Sequence, residues 1–265
     1  MKKFFSLLVL LTCSFQAQAQ TSDFAELTPA PYLQKDLTAA LGMGLASLPE
    51  YADGSKQYLK AFPLVDLQWK SGVFFSTVSG FGYNFSSNPA WQYGVRLGAI
   101  TNQEQSSHNK DAGPGNTPTD LAPGMFANYF YDQHITLLSS VEAGGGLNKQ
   151  HDGFLASVGA RYVHPIDAGN RVYGILGTTW ASLHYMQDYY GVTPAQSASY
   201  NFPVYNGQAG LQKVKLTLGW DHAINLRWSV ITGVALTQPL GDAKNSPLVS
   251  GKIQHAIYSA AYYRF

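Results

Sequence analysis

The sequence has few charges, one cysteine and, after its first residues, no long apolar run. Charged residues make up 12% of the chain, about half the usual share for a globular domain. No stretch after residue 19 offers the about 18 consecutive apolar residues that a membrane-spanning helix requires. Helical membrane spans are therefore excluded, and the formal net charge of +1 argues against nucleic acid as the main partner.

The single cysteine, Cys13, lies in an N-terminal segment with the features of an export signal. Two lysines precede an apolar run over residues 4–11, and an Ala-Gln-Ala sequence follows at 17–19. We expect residues 1–19 to be cleaved as a signal peptide, which leaves residues 20–265 as a single domain. That mature chain has no cysteine, so disulfides, a thiolate nucleophile and a cysteine-based metal site are excluded.

Aromatic residues are abundant, at 14% of the chain, and apolar residues alternate with polar or small ones. The clearest alternation covers residues 91–100 and 213–220, and residues 228–236 repeat it after a short turn, as expected for a hairpin. Weaker versions cover residues 36–46, 58–70, 73–85, 121–132, 135–145, 154–164, 171–183 and 253–265. The pattern predicts an all-β fold, an antiparallel transmembrane β-barrel of the bacterial outer-membrane type.

The alternating segments number eleven, whereas single-chain bacterial barrels have an even number of strands. An additional N-terminal strand, or an error in dividing residues 58–85, would restore an even number. We therefore predict about twelve strands, with about ten as the alternative.

The lengths of the connections predict the orientation of the barrel. The sequences HPIDAGNR and DHAIN predict short periplasmic turns, and the longer segments 101–120, 184–209 and 239–252 predict extracellular loops. Aromatic side chains near strand ends are expected to lie at the two lipid–water interfaces. This predicted girdle comprises Trp69, Trp91, Trp180, Trp220, Trp228 and Phe265.

The chain ends with an aromatic residue, Phe265, which shares one face of the last predicted strand with Tyr263. A terminal aromatic side chain in register with a strand resembles the signal that the outer-membrane assembly machinery recognises. We therefore expect Tyr263 and Phe265 to form an assembly signal, with the assembly machinery and outer-membrane lipid as partners.

Charged residues fall on the predicted lumen faces of several strands. They are Lys60, Asp66, Lys70, Arg96, Glu142, Arg161, Lys213 and Lys215. One interpretation is a small pore that favours anions. The favoured interpretation is that the charges pair within a filled, narrow lumen and avoid lipid, where a basic side chain at the midplane costs about 2–4 kcal/mol.

The residue types needed for hydrolysis are present, but their pattern does not indicate an enzyme. His151 and Asp152 are neighbours, so in an extended segment they point to opposite sides, and no serine lies in a G-x-S-x-G context. The seven histidines show no metal-ligand spacing. We predict no catalytic residue, cofactor or metal. We expect two loop segments, 189–205, which is rich in aromatic residues, and 239–248, to be exposed for partner contact, or to fold over the barrel mouth.

Several motifs occur in the order found in one known family. They are PEYADGSKQYLKAFPLVDLQW from Pro49, HDG from His151, YMQDYYGVTPAQS, PLGDAKNSPLV and the closing YRF. On these motifs the chain resembles the MipA/OmpV family. The resemblance implies an outer-membrane scaffold that links a murein lytic transglycosylase with a penicillin-binding protein in peptidoglycan turnover. The polar segment 101–120 departs from the family pattern, so the resemblance implies no function for it.

Other functions stay open on the sequence alone. The chain could be a small, porin-like diffusion channel or a surface antigen involved in osmotic adaptation. A barrel enzyme acting on lipid would need a nucleophile and a base close together near the outer rim. Conductance across a planar bilayer distinguishes the channel from the scaffold.

Overall fold

The computed structural model describes Ala25 and residues 36–49, 57–101, 119–144, 153–249 and 252–265. In these ranges, twelve β-strands form a closed antiparallel barrel in which each strand pairs with the next and the last pairs with the first. The strands are β1 (Leu37–Pro49), β2 (Gln57–Trp69), β3 (Val73–Ser76), β4 (Gly80–Asn84), β5 (Trp91–Thr101), β6 (Thr119–Phe130), β7 (Ile135–Ala143), β8 (Phe154–Pro165), β9 (Asn170–Ala181), β10 (Gly210–Ala223), β11 (Trp228–Pro239) and β12 (Gln254–Arg264). The prediction of an antiparallel barrel with twelve strands is confirmed.

Side chains alternate between the outer surface and the lumen, and one alternation continues around the whole barrel. The closing strands β1 and β12 share eight residue pairs. The outer face is rich in exposed apolar side chains such as Met43, Leu59 and Leu176. Alternating strands with an apolar outer band are the arrangement that a lipid bilayer requires. The protein is therefore an outer-membrane barrel.

The stretch predicted as one strand over residues 73–85 is a hairpin of two short strands, β3 and β4. The Ser76 hydroxyl accepts hydrogen bonds from the backbone N–H groups of Val78 and Ser79, at 3.1 and 3.3 Å, which fixes the turn. Gly80 follows with a φ of +87°, a conformation that side chains rarely adopt. The one-strand prediction is wrong, and its division into two strands accounts for the even number.

Short turns gather at one end of the barrel and long connections at the other. The turns at 131–134, 166–169 and 224–227 lie at the end where β1 begins and β12 ends. The described parts of the connections after β9 and β11 lie at the opposite end. By the rule for bacterial barrels, the short turns face the periplasm. The turns predicted from HPIDAGNR and DHAIN are both at this end, and its periplasmic orientation stays a prediction.

Short helices form within the outer connections. They are α1 (Leu183–Tyr190), α2 (Pro194–Tyr200) and α3 (Gly241–Asn245). The Ser182 hydroxyl caps α1, and a capping box formed by Thr193 and Gln196 begins α2. Within the described ranges, the helices are too short and too polar to cross a membrane.

Candidate functional site

One half of the lumen, beside β5, β6 and β7, is filled by polar side chains. Arg96 from β5 and Glu142 from β7 form an ion pair, and the Arg96 side chain is only 1% exposed. Gly124 on the intervening strand β6 leaves room for this pair, because a Cβ there would lie 2.7 Å from the Glu142 Cγ. Gln92 and Asn128 are buried nearer the periplasmic end. These side chains fill this half of the lumen. The two charges can be buried there because they are paired with each other.

The N-terminal segment reaches into this half of the lumen at Ala25. Ala25 is fully buried with Phe74 of β3 and Phe126 of β6, whose rings meet edge to face with centroids 5.8 Å apart. The Asn128 Nδ2 donates a buried hydrogen bond of 2.7 Å to the Ala25 carbonyl oxygen. Because Phe74, Phe126 and Asn128 all occupy lumen-facing positions of the register, Ala25 lies inside the barrel.

The other half of the lumen holds a cavity of about 260 Å³. Its wall comes from β1, β2 and β8 to β12, together with the turn between β3 and β4. The lining is mainly apolar and includes Leu48, Phe62, Leu64, Val78 and Ile231. Arg161, Arg171 and Asp221 are its charged members. The volume is close to the lower end of the range for small-molecule sites, about 300–1,000 Å³.

A polar network lies at the periplasmic end of this cavity, centred on Asp221 of β10. The Arg171 Nε donates to Asp221 Oδ2 at 2.9 Å, and the Tyr262 hydroxyl donates to the Asp221 carboxylate at 3.2 Å. Arg264 lies 3.8 Å from the same carboxylate and donates to the Tyr262 hydroxyl at 2.7 Å. Two guanidinium groups therefore more than compensate the charge of Asp221 and leave this network with a formal charge of +1.

The sequence analysis missed both members of the Arg171–Asp221 pair. Arg171 stands at the first position of a predicted strand, and Asp221 follows directly after one. The alternation of its predicted strand places Arg171 on the lumen face, and extending the other strand by one residue places Asp221 there too, as the register shows. The signal was present, but the strand before Asp221 was drawn one residue too short.

The outer connections fold over the mouth of the barrel. The buried cluster there comprises Tyr185, Met186, Tyr189, Tyr190, Ala181 and Ala243, with Leu155 packed against it. The Tyr190 hydroxyl accepts a hydrogen bond from the lumen-facing Gln212 at 2.8 Å, and the Tyr189 hydroxyl donates to the Gly144 carbonyl at 2.9 Å. Of the two alternatives for the segment 189–205, folding over the barrel mouth holds for Tyr189 and Tyr190, whose burial in this cluster holds α1 onto the barrel.

Most charges predicted to face the lumen occupy lumen-facing positions of the register. This set comprises Lys60, Asp66, Arg96, Glu142, Arg161, Lys213 and Lys215. The Arg161 guanidinium carbon lies 5.8 Å from the centre of the Tyr173 ring. Lys70 is different, because it lies exposed in the turn after β2. An effect of these charges on ion passage stays a prediction.

The aromatic residues predicted to anchor the barrel lie on its outer face near the strand ends. Trp69, Trp91, Trp220, Trp228 and Phe265 lie toward the periplasmic end, and Trp180 lies toward the outer end. The Tyr263 ring packs edge to face on Trp228 and Phe265, with centroids 5.3 and 4.8 Å apart. The Phe265 N–H donates to the Ala39 carbonyl at 3.0 Å, which ties the last residue to β1. Anchoring and assembly signalling by these residues stay predictions.

Exposed apolar side chains project from two neighbouring turns at the periplasmic end. Ile166 lies between β8 and β9, and Ile224 and Leu226 lie between β10 and β11. Leu226 is 98% exposed, and the two isoleucines are each 59% exposed. The Ala223 N–H donates to the Gly169 carbonyl at 2.7 Å, which joins the two turns. We call Ile166, Ile224 and Leu226 the rim patch.

Side-chain hydrogen bonds hold both turns of the rim patch. Asp167 accepts from the Gly169 N–H at 2.8 Å, and Asn225 accepts from the N–H groups of Arg227 and Trp228, both at 2.9 Å. Hydrogen bonds from the Gly169 backbone and then from Asn170 hold the pKa of the Asp167 carboxyl below its usual value. A patch on turns that are already ordered loses little conformational entropy when a partner binds.

The described part of the chain brings together no group of three or more side chains that could hold a metal ion. His151 and Asp152, the adjacent pair considered for catalysis, lie outside the described residues. The arrangement that the structure does show is therefore a filled half-lumen, an apolar cavity and an exposed periplasmic patch.

Comparisons with known proteins give similar barrels and one family. A NanC porin is similar at 8% identity, over 86% of this chain and 100% of that one, with a TM-score of 0.47. An outer-membrane channel of the COG4313 group from Pseudomonas putida F1 is similar at 10% identity, over 94% of this chain and 100% of that one, with a TM-score of 0.43. No curated protein matches. The family described as MltA-interacting protein MipA matches over residues 41–265, so the chain belongs to the MipA family.

Proposed function

We propose that this protein is an outer-membrane scaffold that links a murein lytic transglycosylase with a penicillin-binding protein in peptidoglycan turnover, and that it is not itself an enzyme. The family is described by an interaction with MltA, which supports a periplasmic partner of this kind. A scaffold for enzymes of the cell wall must present its binding surface on the periplasmic side. The relevant surface is therefore the end with the short turns.

The rim patch is the observation that carries the proposal. Leu226 is almost completely exposed on a fixed turn, with Ile224 beside it and Ile166 on the adjoining turn. Large apolar side chains that stay exposed together on a monomer mark interaction sites. The fixed turns lower the entropic cost of binding.

The filled half-lumen favours the scaffold over the diffusion channel. The Arg96–Glu142 pair and the buried Ala25 occupy one half, and the α1 cluster covers part of the outer mouth. A water-filled passage would have to displace these groups, and leaving a buried charge without its partner costs about 3–5 kcal/mol. We therefore expect low conductance from the resting protein.

The domain organisation that we propose has residues 1–19 removed on export and residues 20–265 in one barrel unit. The burial of Ala25 inside the lumen supports this division, since a segment that close to the start of the mature chain is part of the barrel interior. Mass measurement of the protein purified from outer membranes tests the cleavage site.

The experiment that tests the scaffold measures binding of purified lytic transglycosylase and penicillin-binding protein to the folded barrel. The test variant is the double substitution Ile224→Asp and Leu226→Asp. The matched control is the double substitution Ser87→Asp and Asn88→Asp, which places the same two negative charges on another exposed turn of the same end. We expect the double variant to weaken binding of at least one partner by about thirtyfold or more, the effect of losing an interface hot spot of about 2 kcal/mol.

The control variant should bind as the unsubstituted barrel does. If the unsubstituted barrel binds neither enzyme, the scaffold proposal is wrong. If it binds them and the double variant binds equally well, the rim patch is not the contact surface.

A further inference from the structure

Within the described residues, which do not include 50–56 and 102–118, the barrel wall is low on one side, where the β3–β4 hairpin stops well short of its neighbours. β3 pairs with β2 at only three positions, Asp66, Leu67 and Gln68, while β2 pairs with β1 along its whole length. β4 pairs with β5 at four positions. The stretches 57–64 of β2 and 98–101 of β5 extend past the hairpin toward the outer end. We call the space bounded by these stretches and the turn at 77–79 the notch.

The notch lies at membrane depth. Its floor is where Val65 meets Thr77, with the Thr77 N–H donating to the Val65 carbonyl at 2.9 Å. Val65 stands four residues from Trp69 at the periplasmic end of β2, or roughly 10 Å up the barrel at about 3.3 Å per residue and a tilt of about 40°. The apolar band of such barrels is about 25 Å tall. At the hairpin, β2 and β5 are three strand spacings apart, about 14 Å.

The sequence of β2 fits an edge at the notch. The Val65 N–H and carbonyl both bond to Thr77, so they point toward β3. Alternate residues of an antiparallel strand point their backbone groups the same way, which directs the backbone nitrogen of Pro63 toward the notch. Proline has no N–H to leave unsatisfied, and it is confined to such edges in sheets. Backbone groups at an open edge are not tolerated in pure hydrocarbon, so polar contact reaches this site.

The lumen cavity lies directly behind the notch. Val78, from the turn that forms the notch floor, lines the cavity and is also 37% exposed. Phe62 and Leu64 line the cavity from the stretch of β2 that borders the notch. One apolar surface therefore runs from the notch into the lumen.

The charges of the cavity lie on the wall opposite the notch. Arg161, Arg171 and Asp221 come from β8, β9 and β10, whereas the residues that line the cavity from the notch side, Phe62, Leu64 and Val78, are apolar. Two guanidinium groups and one carboxylate give this wall a formal charge of +1. Lys213 and Lys215 lie on the lumen face of β10 farther toward the outer end and increase the positive potential.

We propose that the cavity binds a single-chain anionic amphiphile of the fatty-acid class, which enters from the membrane through the notch. The carboxylate faces Arg161 on the far wall, and the acyl chain lies along Phe62, Leu64 and Val78 with its end at the notch. The cavity of about 260 Å³ lies below the range of about 300–1,000 Å³ for drug-sized ligands, so it takes one chain of short or medium length and is too small for a lipid with several chains. This activity goes beyond the scaffold and uses neither the rim patch nor a periplasmic partner.

Photo-crosslinking of the whole barrel in nanodiscs tests the proposal. The probes are a fatty acid with a diazirine in its chain, the corresponding fatty alcohol, and a phospholipid with the same diazirine chain, and labelled positions are found by mass spectrometry. We expect the fatty acid to label Phe62, Leu64 or Val78. Labelling confined to the outer surface, as at Leu59 and Met43, overturns the proposal. Equal labelling of the cavity by the phospholipid overturns the assignment to a free fatty acid, and equal labelling by the alcohol overturns the role of the charged wall.

Two neighbouring alanines provide a matched pair of variants. Ala260 lines the cavity and is buried, whereas Ala261 follows it on the outer face. Ala260→Leu fills cavity space and should reduce fatty-acid labelling about tenfold or more, because a packed site does not accept extra volume. Ala261→Leu should leave labelling unchanged. Both variants are first checked for folding by their mobility on gels before and after heating.

A second variant keeps the test decisive if Ala260→Leu fails to fold. Arg161→Gln retains a long polar side chain and removes the charge on the far wall. We expect it to lower labelling by the fatty acid while labelling by the alcohol stays the same. Unchanged preference for the acid overturns the assignment of the carboxylate to Arg161.

Discussion

The buried pair between Arg96 and Glu142 makes a quantitative prediction about stability. Replacing Arg96 with Met removes the guanidinium but leaves the Glu142 carboxylate in the lumen, where its side chain is 15% exposed. Removing one partner of a buried ion pair costs about 3–5 kcal/mol, because the remaining charge has lost its compensation. Replacing both residues, as Arg96→Met with Glu142→Leu, removes this penalty and should return the stability close to that of the unsubstituted protein.

The assay is equilibrium unfolding in urea of the barrel refolded into lipid vesicles, followed by tryptophan fluorescence. The chain has five tryptophans, all in or beside strand ends of the barrel wall, so their emission reports the loss of lipid contact. A double-mutant cycle over the two single variants and the double variant isolates the coupling between the residues. Additive losses, with the double variant less stable than either single variant, would refute the claim that these charges are buried and depend on each other.

Three further predictions concern the wall, the last residue and a periplasmic turn. Leu218→Arg, on the lipid face of β10, should lower the free energy of unfolding by about 2–4 kcal/mol. Leu226→Arg, on the exposed turn, should change it by about 0.5 kcal/mol or less. Equal losses in the two variants contradict the assigned facing of Leu218. Deletion of Phe265 should reduce insertion into the outer membrane of cells while leaving refolding into vesicles nearly unchanged, and normal insertion excludes the assembly signal. In NMR titrations the pKa of the Asp167 carboxyl should lie below the usual pKa of aspartate. The carboxylate then supports the turn fully at any pH above that usual pKa, and this support is lost as the pH falls through the lowered pKa. A titration midpoint at or above the usual pKa contradicts the turn geometry.

The faces of the strands could be predicted from the sequence, because alternation in a barrel is set by lipid on one side. Lys213, Lys215 and Leu218 on β10 all face as the pattern predicts. Lipid penalises a charge on its side strongly, so the pattern is imposed at each residue of a strand. This is why a signal that is weak in one segment became reliable over the chain.

The β3–β4 hairpin could not be recognised, because its turn does not interrupt the alternation. Ser76 pairs with Gly80 across a turn of three residues, so positions on both sides of the turn keep the same odd or even numbering on each face. Phe75 and Phe81 therefore both face outward, as they would in one continuous strand. A turn of two or four residues would have shifted the pattern and revealed itself.

The contacts that close the lumen depend on residues far apart in the chain. Arg96 and Glu142 come from different strands, and Ala25 meets Asn128 across about a hundred residues. Alternation predicts that Arg96 and Glu142 face inward, but it does not predict which inward residues meet. Likewise, Tyr189 is buried in a cluster that includes the distant Ala243. Pairings of this kind follow from barrel shear and loop packing, which a periodic pattern does not encode.

Pro63 also bears on how copies of this protein behave beside one another in a crowded membrane. An open strand edge is a template on which a second chain can add a strand, and natural sheets block such edges with proline, charge or short strands. In the described part of this barrel, β3 is only four residues long and leaves residues 57–64 of β2 as an edge, which lacks a donor at Pro63. Replacing Pro63 with Val would restore a continuous row of donors, and the protein would then gain a surface for edge-to-edge association and misassembly.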